Sequence, residues 1–300
     1  MSNVDSQASL ATDAARDDQI LPLTRWLARL IVPVLALGFI LLYIWPDNTE
    51  EMFAWTIRPR MTPLLMGAGY LGGAYFFLRS ALASKWHHIA VGFLPVATFS
   101  SFMTLATIIH WPNFNHTHPA FFIWAILYAT TPFLVFYAWW QNRKRDTGLP
   151  DPGDAILPAV ARWIMGIFGF VILATGILLF VFPSLMIDVW PWALSPLTAR
   201  VGGGWFALPG VLWLGIARDH RWQAARIGLE SQALSLILIL WGVGRAWSNF
   251  DQSNPLTWMF VGGMTLLLLI IIVVYGWVEF GRKSTQSSED AGDPQSVSYQ

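Results

Sequence analysis

Trp111 to Pro119 reads W-P-N-F-N-H-T-H-P, and Trp247 to Pro255 reads W-S-N-F-D-Q-S-N-P. Tryptophan, asparagine, phenylalanine and proline recur at the same places, at an offset of 136 residues. The register extends outward from this pair. At 136, Lys85-Trp86 falls on Arg221-Trp222; at 137, Arg25-Trp26 falls on Arg162-Trp163, Pro46 on Pro183, Trp55 on Trp192, Pro59 on Pro196 and Gly67 on Gly204, with one residue lost between. Apolar residues coincide by chance in any two membrane segments, but tryptophan and proline, at 18 each in 300, do so rarely. Recurrence at one long period marks an internal duplication, so the chain is expected to be two copies of one unit.

Composition sets the medium. Hydrophobic residues make up 55% and charged residues 12%, with mean hydropathy +0.50, against about 25% charged in a soluble domain. The chain therefore belongs to a membrane. Eighteen basic residues balance eighteen acidic ones, which gives no polyanion-binding surplus and argues against nucleic acid as a partner. The absence of cysteine excludes disulfides, thiolate metal sites, iron–sulfur clusters and cysteine nucleophiles.

Eight apolar runs lie near 24–46, 62–82, 88–110, 119–140, 160–182, 199–217, 227–247 and 257–280. Each is about 20 residues, the length that crosses a hydrocarbon core of roughly 30 Å as a helix, and lipid leaves the backbone no other way to satisfy its polar groups in such runs. The first run is too long for a signal h-region and reads as an anchor. The expected organisation is a disordered cytoplasmic tail over 1–23, a first four-helix repeat over 24–140, a cytoplasmic linker over 141–159, a second four-helix repeat over 160–280 and a disordered cytoplasmic tail over 281–300.

Charge orients the runs. With the N-terminus inside, fourteen basic residues fall on the cytoplasmic side: Arg16, Arg25, Arg29, Arg79, Lys85, Arg143, Lys144, Arg145, Arg162, Arg218, Arg221, Arg226, Arg282 and Lys283. Four fall opposite, namely Arg58, Arg60, Arg200 and Arg245. This positive-inside bias predicts N-in/C-in. Four crossings return the chain to its starting side, so the repeats are parallel, related by a pseudo-twofold axis along the membrane normal. The fold class expected is an all-α integral membrane protein of eight transmembrane helices.

Between the first and second run of each half lie 46–63 and 183–200, amphipathic segments suited to the outer interface. In the second of these, Trp190-Pro191-Trp192-Ala193-Leu194-Ser195-Pro196-Leu197-Thr198-Ala199-Arg200, followed by Gly203 and Trp205, resembles a stretch of uncharacterised bacterial multi-pass membrane proteins. The resemblance implies a bacterial cytoplasmic (inner) membrane and carries no activity with it.

Glycines gather on the second helix of each half, Gly67, Gly69, Gly72 and Gly73 on one and Gly202, Gly203, Gly204 and Gly210 on the other. They permit close approach, including of these two helices to each other. Pro209 kinks the sixth helix, either as a tolerated bend or as a break lining a ligand cavity. Intramembrane carboxylates are few. Glu230 follows Arg226 at i,i+4 and Glu279 precedes Arg282, so a midplane proton relay finds no support.

The histidines admit two readings. His110, His116 and His118 cluster at one helix end and can ligate zinc, copper or iron with Asp47, Glu50, Glu51 or Asp251. Their counterparts, Ala246, Gln252 and Asn254, point instead to polar anchors. A haem on His88 or His110 needs a second imidazole at matching depth, which the other helices lack. Arg58, Arg60, Arg200 and Arg245 pair with nearby acids or lipid phosphate, or else form an anion or headgroup site at the outer mouth with Asn113 and Asn249. Most of the 18 tryptophans fall near helix ends, as an aromatic belt requires, with Trp124, Trp205, Trp213 and Trp241 deeper. Common enzyme signatures are absent. The leading expectation is a non-enzymatic protein, without cofactor, that binds or transports a lipid-like or small, weakly charged ligand between the repeats. One alternative is a metal- or haem-dependent membrane redox protein using the histidine cluster. Another is a structural subunit of an oligomer or membrane complex.

Overall fold

The computed structural model describes residues 16–292 of the chain, with side chains to Gly281. Among them the regular structure is helical, without strands. Eight helices of 18 residues or more run in order: α1 Pro22–Phe39, continued by a wider turn over Ile40–Ile44, α2 Met61–Leu82, α3 His87–Ile109, α4 Pro119–Asn142, α5 Ala159–Val181, α6 Pro196–Arg218, α7 Trp222–Arg245 and α8 Pro255–Gly292. Seven are long and apolar enough to cross a membrane. α6 has the length but falls short in hydropathy, diluted by Arg200, Gly202 to Gly204, Trp205 and Pro209.

Local chemistry sets the helix starts. Proline occupies the first turn of α1, α4 and α6, where its missing N–H costs nothing. Ser195 and Thr198 close a capping box on α6, Thr198 N–H donating to Ser195 Oγ at 3.1 Å and Ser195 N–H to Thr198 Oγ1 at 2.7 Å. His118 Nδ1 accepts from Ala120 N–H at 3.1 Å on α4, and Asn254 Oδ1 from Leu256 N–H at 2.9 Å on α8. An imidazole and an amide thus cap two helices in the same way.

α2, α3, α6 and α7 form the centre. α1 packs on α2, α5 on α6, α3 on α4 and α7 on α8, while α3 also packs on α6 and α7 on α2. At one end, single 3₁₀ turns at Trp111–Asn113 and Trp247–Asn249 precede α4 and α8. Asn115 N–H donates to Ala54 O at 2.8 Å and Asp251 N–H to Pro191 O at 2.9 Å. Trp55 lies 5.1 Å from Phe114 and 4.8 Å from Trp124; Trp192 lies 5.1 Å from Phe250 and 5.0 Å from Phe260, ring centre to ring centre. At the opposite, charged end, Trp86 N–H donates to Asp18 O at 2.7 Å and Trp222 N–H to Ala155 O at 3.0 Å. Antiparallel backbone bridges join Gln19 to Lys85 and Ile156 to Arg221.

Several expectations change. Residues 16–21, assigned to the first polar tail, are pinned across the charged end: Asn142 accepts Leu21 N–H at 3.0 Å and donates to Thr24 Oγ1 at 2.6 Å, and Arg145 reaches Asp17 at 3.0 Å. α8 continues to Gly292, into the stretch expected as a second tail, while residues 1–15 and 293–300 lie outside the described part. The tryptophan belt is smaller than expected. Trp86 and Trp222, at the starts of α3 and α7, are wholly buried, and Trp55 and Trp192 nearly so. Trp241 turns outward from α7, 69% exposed. The glycines of α2 and α6 also do not stack mainly on each other. Gly67 meets Tyr43, Gly72 meets Ser231 and Ser235 of α7, Gly203 and Gly210 meet α5, and Gly204 meets Met103 of α3; Gly69 alone faces α6, against Trp205.

Candidate functional site

Where α2, α3, α6 and α7 meet lies a cavity of about 100 Å³, its wall completed by Ile172 of α5 and Met264 and Leu267 of α8, room for several waters or a stretch of alkyl chain. Its walls are made by glycine and by large rings. Gly69, Gly73 and Gly92 remove side chains on one side, and Trp205, Phe206 and Pro209 stand on the other. α6 runs unbroken through Pro209, so the proline lines the cavity without ending the helix. A smaller space of about 20 Å³ shares Leu65, Trp205 and Phe206 with the first and leads toward Thr62, Trp190, Trp192 and Thr198 at the tryptophan-turn end.

Three polar side chains of α7 break the apolar lining: Ser231, Gln232 and Ser235. The serines are satisfied, Ser231 Oγ donating to Gly72 O at 2.8 Å and Ser235 Oγ to Ser231 O at 3.1 Å. The Gln232 side chain makes no hydrogen bond to the described residues and faces the cavity. Trp205 Nε1 is likewise buried without a partner. Unpaired donors and acceptors in an apolar wall are costly, and their remaining capacity suits a ligand with an apolar body and a polar group.

Next to Ser231 on α7, Glu230 is held by four donors. Its Oε2 accepts from Tyr75 Oη at 2.6 Å and Arg79 Nη1 at 2.5 Å on α2; its Oε1 accepts from Arg226 Nε at 3.0 Å and Tyr275 Oη at 3.0 Å on α8. The local pair with Arg226 exists, but it is one of four partners, and sequence spacing reveals only that one.

At the other end the sequence-derived candidates take separate positions. Arg60 pairs with Asp47, and this hydrogen bond holds the Asp47 carboxyl below the usual carboxylate range. Arg58, exposed, lies 3.8 Å from Glu50. Arg245 donates to Tyr43 O at 2.8 Å, and Asn249 Oδ1 accepts from Met61 N–H at 3.2 Å, tying the second tryptophan turn to the start of α2. Arg200 Nη1 lies 2.7 Å from His110 Nε2, and Asn113 N–H donates to His110 O at 2.9 Å. Burial and the Arg200 charge hold the His110 pKa below its ordinary value, against the opposing influence of Asn113, so the ring accepts from Arg200 as neutral imidazole.

The three histidines of this end do not gather around one point. His110 faces Arg200, His116 stacks on Trp111 at 4.8 Å, and His118 caps α4 while its Nε2 lies 2.9 Å from Glu51 O. Asn254 reaches Val189 O at 2.9 Å from the corresponding loop. Among the described residues the one group of histidine and carboxylate atoms close enough to share an ion is His87, His88 and Asp151, at the charged end. For haem, His88 is taken up by Asp151 at 2.8 Å. No protein-family model matches this chain, and neither curated proteins nor solved structures yield a match.

Proposed function

We propose that this chain is an internally duplicated, eight-helix protein of a bacterial cytoplasmic membrane, with both termini cytoplasmic, whose central cavity binds or passes a lipid-like or small, weakly charged ligand. The cavity, about 100 Å³ of apolar space into which Gln232 turns an unpaired amide, is the observation that carries the ligand reading. A chain carbonyl, ester or hydroxyl satisfies that amide, and the glycine-bared walls take the hydrocarbon.

The duplication has independent support. Six pairs of positions 136 residues apart line the same cavity: Gly69 and Trp205, Gly73 and Pro209, Phe76 and Leu212, Gly92 and Gly228, Pro95 and Ser231, Val96 and Gln232. The bridges Gln19 to Lys85 and Ile156 to Arg221 also superpose in sequence, as do the two tryptophan turns. A cavity between parallel halves fits a site on a pseudo-axis along the membrane normal. The orientation rests on the fourteen-to-four distribution of basic residues, and the bacterial setting on the resemblance around Trp190. Arg58, Arg60, Arg200, Arg245, Asn113 and Asn249 surround the outer mouth in this reading and meet the polar part of an arriving ligand.

A phospholipid bearing a photoactivatable acyl chain tests it. Irradiated with the full chain in vesicles, it should label α3 and α7 around Val96 and Gln232, and Val96→Trp, which fills the cavity, should cut that labelling about tenfold. Labelling confined to outward-facing residues such as Phe133 or Ile272, and indifferent to Val96→Trp, removes the ligand reading.

A further inference from the structure

At the charged end, side chains from three separate parts of the chain converge. His87 and His88 open α3, and Asp151 stands in the connection between α4 and α5. His88 Nε2 lies 2.8 Å from Asp151 Oδ2 and His87 Nε2 lies 3.8 Å from the same oxygen. The three ligand atoms fall within 4.8 Å of one another.

His87 is the decisive member. Its side chain is 1% exposed, and its Nε2 is buried without a hydrogen-bond partner. Such a nitrogen has lost its water and gained nothing in return. The other nitrogen, Nδ1, is held by the Asp18 carboxylate, whose Oδ1 also accepts His87 N–H at 3.1 Å. Asp18 sits at φ 53°, a left-handed conformation uncommon outside glycine, of the kind that clusters at functional sites. A carboxylate behind the imidazole selects the tautomer whose Nε2 lone pair points forward, the arrangement that stands behind metal-bound histidines. Lys85 holds Asp151 Oδ1, which leaves Oδ2 toward the two rings.

We propose that His87 Nε2, His88 Nε2 and Asp151 Oδ2 bind a divalent transition-metal ion of the zinc class, with Asp18 and Lys85 orienting two of the ligands and a fourth position left to water. Two imidazoles and a carboxylate form a zinc set with an open position; Fe(II) is the other ion such a set takes. The corresponding place in the second half lacks the donors. Gln223 and Ala224 stand 136 residues after His87 and His88. There Arg221 closes on Asp146 at 2.7 Å and on Asp219 at 2.7 Å, so ion pairs fill the place. The site lies apart from the central cavity and does not depend on what that cavity binds. An ion here fastens the connection between the halves to the start of α3.

The full chain in mild detergent, stripped with a chelator and titrated with Co²⁺, reports four-coordinate binding through its visible absorption. One equivalent per chain, displaced by Zn²⁺, is expected. His88→Gln should weaken binding by at least about 100-fold and Asp18→Asn by about 10–100-fold, while His110→Gln leaves it unchanged. X-ray absorption of the zinc-loaded wild type gives a count that needs no variant, and two imidazoles should appear. Elemental analysis of the protein as purified separates zinc from iron. Folded wild type without a stoichiometric site, cobalt binding unmoved by His88→Gln, or a zinc shell lacking imidazole overturns the proposal.

Discussion

Arg221 shows how a single side chain can organise an end of the molecule. It is 6% exposed, and its guanidinium reaches both Asp146 and Asp219. Burial alone raises the Asp146 pKa, but the Arg221 hydrogen bonds, the Gly148 N–H and the Arg221 charge outweigh it and hold the carboxyl below its ordinary value. A depressed folded-state pKa stabilises the fold above the unfolded value, about 3.9 for aspartate, and that contribution fades as pH falls through the lower folded one. Asp146→Asn should therefore lower stability at pH 7, by about 1.5–3 kcal/mol as for a hydrogen bond to a charged group. The gap to wild type should close below about pH 4 in denaturant titrations, and a pH-independent gap contradicts the ion-pair account. Glu230 works by the same economy of position, one carboxylate serving four donors from α2, α7 and α8. Arg226 at i,i+4 was legible in the sequence. Tyr75, Arg79 and Tyr275 were not, since nothing in a linear pattern says which helix lies opposite.

Helices were the most legible level, because length and apolar content alone define them in lipid, and proline, serine and asparagine punctuate their starts. Their faces were less legible. Glycine clusters announced close approach on α2 and α6 but left the partner open, since a missing side chain fits any neighbour. The structure gives four of these eight glycines to α5, α7 and α3, and two, Gly67 and Gly73, to α1 and the wider turn that continues it. A Cβ at Gly210 would stand 2.6 Å from Leu173 N, whereas one at Gly244 meets nothing within 4 Å. Gly210→Ala should thus destabilise by about 1–3 kcal/mol, as overpacking against rigid backbone does. Gly244→Ala should be neutral or gain up to about 1 kcal/mol from helix propensity. Thermal unfolding in detergent separates them, and equal midpoints contradict the packing described for α5 and α6. Tryptophan misled for a related reason: residues beside a helix end face lipid headgroups or the bundle alike, and only the packed structure shows Trp86 and Trp222 turned inward.

At the scale of the molecule, the chain's lack of cysteine makes the proposed topology directly measurable. Single cysteines at Gly148, in the connection between α4 and α5, and at Ser253, in the turn before α8, should react with an impermeant maleimide from opposite sides of sealed vesicles, Ser253→Cys from the outside. Labelling of both from one side rejects the orientation. The proposed repeat rests on two short motifs in the sequence, whereas the central cavity was not legible there, since its wall draws on six helices whose mutual contacts have no sequence signature. The exchange of partners across the centre, α2 on α7 and α3 on α6, bears on inheritance under the proposed duplication. A mutation in one copy is screened mostly against a different element of its sister, and against its own duplicate only where α3 meets α7 and where Gly69 meets Trp205, so the two copies answer largely to separate selection from the moment they are joined. Facing positions can then specialise in opposite directions. Gly69 beside Trp205, and Pro95 and Val96 matched by Ser231 and Gln232, have the form that such a division of labour leaves behind: one descendant supplies the room, the other the groups that fill it and speak to a guest.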